Sequence, residues 1–289
     1  MASCLTETEN ALLGGVTAVT IAVTLQPTLY WKNARQQNLP LTLDPRLLYR
    51  GMGPQLANEI GQLGLAFGAT SALKQALPAT PSGELTAASA AGALVALFAS
   101  PCELLMIQQQ RHGTGVFETP LRVLRSHGLA TLLGRGLGMA MARDAIYVGG
   151  MLGATPVCND WLIAAMGRSS SRSRTSEGDS STSGAVSAGS AALASLAASM
   201  LGGIIAAIPS HPLDVIKTCQ QGDLQATTYK GPMQTAKALI KEGGLWRLLN
   251  GVTWRTVNIV TTVWIANEMI QRLPPYVKAV TRRDESRVS

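Results

Sequence analysis

The chain has 289 residues, of which 14% are charged, 46% apolar and only 4% Phe, Tyr or Trp, with a net charge of +7. Soluble domains average about 25% charged residues, so composition leans away from a water-soluble enzyme and toward helices packed in lipid, though an Ala-rich soluble α/β protein stays open. The basic residues are scattered rather than gathered with stacking aromatics, which argues against nucleic acid and for anionic lipid headgroups.

In chain order, the stretch 1–10 carries Glu7 and Glu9 and no Lys or Arg, so it is no secretory signal, and any organelle address is internal. Six apolar segments follow, at 11–35, 51–78, 85–110, 134–157, 189–221 and 250–272. Several reach the roughly 20 residues that a spanning helix needs. None alternates with period two, so helices rather than a barrel are expected. Their moderate hydrophobicity suits helices with one face on a wet cavity. Between the fourth and fifth, Gly167–Gly184 is Ser-rich and cannot bury apolar surface; it predicts a disordered loop. Cys4, Cys102, Cys158 and Cys219 are far apart with no CxxC, so neither a disulfide framework nor a zinc site is indicated. His112, His127 and His211 have no metal-ligand spacing, and Gly134-Arg-Gly-Leu-Gly138 follows no strand, so it is no phosphate loop. No catalytic residues are indicated.

An internal repeat emerges when the chain is aligned on Pro27, Pro101 and Pro212, which lie in the first, third and fifth apolar segments. Nine positions later stand Gln36, Gln110 and Gln221. Five positions later stand Lys32, Met106 and Lys217, and two positions later Leu29, Glu103 and Asp214. Nine before are Ala18, Gly92 and Gly203, and thirteen before are Gly14, Ala88 and Ser199, a small-xxx-small face. The even segments agree: seven positions after Gly51, Gly136 and Gly251 come Asn58, Arg143 and Asn258.

Pro-x-[Asp/Glu]-x-x-[Lys/Arg], three times in a chain of this length, resembles the signature of the mitochondrial carrier family. Pro212-Leu-Asp-Val-Ile-Lys217 conforms fully; Pro101-Cys-Glu-Leu-Leu-Met106 lacks the base, and Pro27-Thr-Leu-Tyr-Trp-Lys32 lacks the acid. The resemblance implies an all-α membrane protein, six transmembrane helices in three two-helix repeats with pseudo-three-fold symmetry around a central cavity. Repeats are expected at 8–80, 81–166 and 189–275, with the Ser-rich loop at 167–188 and a tail at 276–289. Pro101 and Pro212 are 111 residues apart but Pro27 and Pro101 only 74; the missing length falls between Lys32 and Tyr49, so the first repeat is expected to lack its matrix helix. Matrix helices are expected near Phe117–Ser126 and Met233–Lys241.

The resemblance also implies roles. Glu103 faces Lys217, and Asp214 faces Lys32, in a gate on the matrix side, with Gln36, Gln110 and Gln221 as braces to the ion pairs. The third pair would join Leu29 to Met106, both apolar, and losing both partners together can be nearly neutral. Arg143-Asp144 lies at the family's second substrate contact point and, with Asn58, Gln62 and Asn258, marks a polar cavity for a small-molecule substrate such as an amino acid, a carnitine-like zwitterion or a carboxylate; an ordinary helix-end pair is the other reading. Tyr49-Arg50-Gly51, Arg135-Gly136 and Tyr229-Lys-Gly231 resemble turns that bind cardiolipin phosphate at helix N-termini. No other cofactor is implied. The cytoplasmic gate is poor, with only Ser71 to Lys74 and Glu268 to Gln271 as candidates, and Glu59 is unpaired. The chain is thus expected to act as a monomeric exchanger in the mitochondrial inner membrane, termini and Ser-rich loop outside and Gln36 and Gln221 toward the matrix. A carrier homologue that no longer transports, acting as a structural or recruiting protein, is the alternative.

Overall fold

A computed structural model describes residues 6–78, 80–174, 188–279 and 281. Among these residues the regular structure is helical. Helix α1 spans Glu7–Gln36 and opens with a capping box, in which Thr6 and Glu9 satisfy each other's backbone amides. A single turn, α2, occupies Pro45–Leu48, and α3 spans Met52–Ala76. Helix α4 runs Pro81–His112 from a Thr80 cap to Gly113 at φ +70°. Helix α5 is Glu118–Gly134, interrupted at Gly128. Helices α6 and α7 are Leu137–Arg174 and Ala188–Gly222. Helix α8 is Pro232–Gly243, followed by a 3₁₀ stretch at Leu245–Leu249 and by α9 at Val252–Arg272.

The six long helices close into a ring: α1 packs on α3, α3 on α4, α4 on α6, α6 on α7, α7 on α9, and α9 back on α1. Polarity is inverted relative to a soluble bundle. Leu12, Val16, Val19 and Val23 of α1 recur every three or four residues on its exposed side, while Gln26, Asn33, Gln36, Asp214, Lys217 and Gln221 are buried. An apolar skin over a polar interior is what lipid demands. Gly92 and Gly203 let helices approach: an added Cβ would lie 3.0 Å from Val148 of α6 and 2.8 Å from Ile259 of α9, respectively.

Three of the six, Thr8–Gln36, Ser82–His112 and Ala192–Gly222, are both long and apolar enough to span a membrane by composition. The even helices α3, α6 and α9 have spanning length but are less apolar. They carry Glu59, Arg143, Asp144 and Arg255, which line the cavity. The first repeat passes from α1 to α3 through a non-helical stretch and the single turn α2, where repeats two and three have α5 and α8. Helix α6 continues to Arg174, eight residues into the stretch read as loop, because once nucleated a helix adds one hydrogen bond per residue. The remainder of that stretch, 175–187, lies outside the described residues, as does most of the tail.

Candidate functional site: an ionic layer beneath a central cavity

Three glycines set the geometry. Gly51, Gly136 and Gly251 precede α3, α6 and α9 at φ +86°, +79° and +87°, a left-handed conformation that only glycine adopts cheaply. Each is pressed against one of the proline-containing helices, five residues beyond its aligned proline. An added Cβ would lie 2.7 Å from Met106 Cγ at Gly51, 3.2 Å from Lys217 Cγ and Gln221 Cγ at Gly136, and 3.1 Å from the Lys32 carbonyl at Gly251. The same repeat position therefore touches the same repeat positions three times, which is pseudo-three-fold packing at the level of single residues.

Above these contacts lies an ionic chain. Lys32 Nζ sits 3.0 Å from Asp214 Oδ2, which also accepts from Gln36 Nε2 at 2.8 Å. Lys217 bonds Glu103. Arg143 joins the two pairs, with NH1 donating to Glu103 Oε1 at 3.1 Å and to Asp214 Oδ1 at 2.9 Å. The result is one continuous path, Lys32–Asp214–Arg143–Glu103–Lys217, across α1, α7, α6 and α4. Asp214 and Lys217 have side chains only 1% and 2% exposed. In such surroundings each charge stays ionised only because its partners are in place.

The residues named from the sequence take particular places in this layer. Arg143 was read as a substrate contact, but its five N–H donors are all taken: Nε and NH2 reach Asp144 at 2.7 and 3.0 Å, and NH2 also reaches Glu103 Oε2 at 3.4 Å. It belongs to the ionic layer. The glutamines are not equivalent braces. Gln36 serves the Lys32–Asp214 pair, but Gln221 donates to Ser100 and to the Arg135 carbonyl, at 3.1 to 3.3 Å. The Glu103–Lys217 pair has Arg143 as its third member instead. Gln110 accepts from Asn33 Nδ2 at 2.9 Å, tying α4 to α1 one turn beyond Met106 and Leu29. The third seam thus carries an amide–amide hydrogen bond where the other two carry ion pairs.

The turns read as lipid sites differ too. Tyr49 is exposed, and Gly231 caps the start of α8. The Arg135 guanidinium, however, is spent on protein, donating to the carbonyls of Gln220, Asp223, Lys230 and Tyr229. Tyr229 gives its hydroxyl to Glu242 at 2.8 Å. The Asp223 carboxylate organises the same loop, accepting from the amides of Thr227, Thr228 and Tyr229. Burial pushes its pKa up, but these three amides outweigh that and hold it below the ordinary aspartate value.

The ionic layer floors a cavity of about 430 Å³, into which Asn58, Glu59, Gln62, Asp144, Arg255 and Asn258 open. Asn58 Oδ1 has no hydrogen-bond partner among the described residues, and Glu59 accepts from Gln55 at 2.7 Å. Asn258 donates to Thr28 at 3.2 Å. Arg255 was missed by the sequence reading. It bonds Ser210 at 2.9 Å, sits 3.7 Å from Asp214 and lies 5.6 Å from the Tyr147 ring centre. At the other end of the ring, Lys74 pairs with Glu84 at 3.8 Å and Arg272 with Glu268 at 2.6 Å within one helix. Neither crosses the opening.

Fold and site together define a polytopic membrane protein whose central cavity is floored by interhelical ion pairs. Residues 189–273 match the family model for mitochondrial carrier protein. Mitochondrial uncoupling protein 6 of Arabidopsis thaliana is 25% identical over 179 residues, which cover 58% of this chain and 47% of that protein. The chain therefore spans about half the length of the curated relative it matches. Over residues 189–273 the chain is thus similar to mitochondrial carrier proteins.

Proposed function

We propose that the chain carries a small metabolite across the mitochondrial inner membrane by alternating access. The observation that supports this most directly is the cavity of about 430 Å³ floored by a buried ionic layer at one end. Bundle cavities floored by separable ion pairs suit alternating access, because the pairs are strong enough to close and, once hydrated, cheap enough to part. In this reading Asn58, Gln62, Asp144 and Asn258 receive the substrate first. Arg143 joins them only after Glu103 and Asp214 release it, so the same guanidinium reads the substrate and holds the gate. A zwitterion or a carboxylate is the substrate class that such a mixed-charge cavity accommodates: an amino acid, a carnitine-like compound or a simple organic acid. Exchange is the expected mode. Cardiolipin at the α3, α6 and α8 starts, monomeric state and an orientation with Gln36 and Gln221 toward the matrix belong to the same proposal.

The non-transporting alternative draws on one observation, the single turn α2 in place of a matrix helix in the first repeat. Uptake by the purified protein in liposomes, with radiolabelled amino acids, carnitine and carboxylates, decides between them. Saturable uptake of one class, lost in Asp144→Ala, supports transport. No uptake of any of them by a well-folded wild type supports the alternative.

A further inference from the structure

A second cavity, of about 470 Å³, lies outside the ring's centre, between the end of α4, the inner face of α5 and the chain that leaves α7. Its wall gathers Arg111, His112, Arg122 and His127, with Ser126 and Thr227 as hydroxyl neighbours. The acid on the wall is Asp223, whose two carboxylate oxygens are already engaged by Thr227, Thr228 and Tyr229. Neither Arg111 nor Arg122 has a carboxylate within ion-pair distance among the described residues. The two sides of the wall are built separately. Arg122 and Ser126 stand one helical turn apart on α5, where Ser126 donates to the Arg122 carbonyl at 2.6 Å. Arg111 comes from α4; its NH1 touches Gln37 at 3.3 Å, and it lies against bare backbone at Gly222, where an added Cβ would be 3.0 Å away. Two unpaired guanidiniums facing one concavity focus a positive potential into it.

We infer that this cavity binds a phosphate-bearing anion, separate from the transported substrate. Planar guanidinium forks suit phosphate oxygens in a bidentate way, and the imidazoles and hydroxyls can supply the remaining donors. The ligand bridges α4, α5 and the α7–α8 connection, so it fastens repeat two to repeat three at the end of the ring where the ionic layer lies. The phosphate can belong to a soluble anion or to an anionic lipid headgroup, and the chemistry is shared.

The test uses the full chain in phosphatidylcholine nanodiscs, with inorganic pyrophosphate as the probe and melting temperature as the readout. Saturable stabilisation is expected, with apparent affinity weakened about tenfold or more in Arg122→Gln and in Arg111→Gln, and weakened less in Arg122→Lys, which keeps the charge but loses the fork. A second arm repeats the titration in nanodiscs containing cardiolipin. Competition between pyrophosphate and cardiolipin assigns the site to a lipid headgroup, and independence assigns it to a soluble phosphate. Equal pyrophosphate affinity of wild type, Arg122→Gln and Arg111→Gln, or no stabilisation by either pyrophosphate or cardiolipin, overturns the inference. Neither result bears on whether the central cavity transports.

Discussion

The seams α1–α7 and α4–α7 are held by charge, with Lys32 against Asp214 and Lys217 against Glu103, whereas α1 and α4 meet through Asn33 and Gln110. The contrast shows how a symmetric frame tolerates an asymmetric lock. The glycine contacts are the same in all three repeats, so the backbone frame is three-fold. The charges are not, because Leu29 and Met106 stand at the offsets where the other repeats carry an acid and a base. Removing one partner of a buried pair strands a charge, while removing both leaves a surface that an amide bond and apolar packing can close. Arg143 then spans the two remaining acids, so the lock is concentrated around α7 rather than shared evenly.

The largest way to break this contrast is at its hub. Asp214→Asn leaves Lys32 and Arg143 facing a neutral side chain, and we expect a loss of about 3–5 kcal/mol in unfolding of the purified protein. A thermal or denaturant melt close to wild type would mean the layer is hydrated and the lock is weak. The next test rebuilds the missing pair. Leu29→Glu and Met106→Lys should each destabilise, since each adds a charge without a partner, and the double change should recover much of the loss. Simple additivity in that double-mutant cycle would show that the α1–α4 seam does not mirror the other two. A smaller effect is expected within that seam: Asn33→Ala strands Gln110, costing about 1–3 kcal/mol, whereas Asn33→Leu with Gln110→Leu should be nearly neutral in the same melt. The smallest effect lies outside the ring. Because the Asp223 pKa is held down in the fold, its contribution is present above the unfolded aspartate value of about 3.9 and is lost as pH falls through the lower folded value. Asp223→Asn should therefore lower the melting temperature slightly at neutral pH and make no difference at the acid end; an equal difference at both ends would sink the assignment.

The repeat was legible because it obeys fixed offsets. Glu103 and Asp214 share one distance from their prolines and Lys32 and Lys217 another, so one alignment located the four charges, and the resemblance to carriers paired them. The compensating contacts were not legible for the same reason. Asn33 stands six residues after Pro27, where the other repeats have Ile107 and Thr218, and Arg255 stands four after Gly251, where they have Gln55 and Ala140. Nothing periodic marks these positions; they are local answers to an asymmetry that appears only when helices are set side by side. Arg143 was found but its bonds to the ionic layer were not, because its neighbour Asp144 is visible in sequence while Glu103 and Asp214, 40 and 71 positions away, are not. Sequence supplied the frame and half of the lock, and distance in the chain hid the rest.

The three left-handed glycines have a consequence for reading genetic variation in this chain. Every missense change at a glycine codon adds a side chain, whatever its chemistry. At Gly51, Gly136 and Gly251 even the smallest, alanine, combines a backbone cost of about 1–2 kcal/mol with a carbon pushed against the neighbouring helix. Substitution scores based on residue similarity would grade glycine to alanine or serine as mild. At these three codons the mild classes should be ranked with the severe ones, while at Gly64 or Gly138, where an added carbon meets nothing within 4 Å, the usual ranking holds.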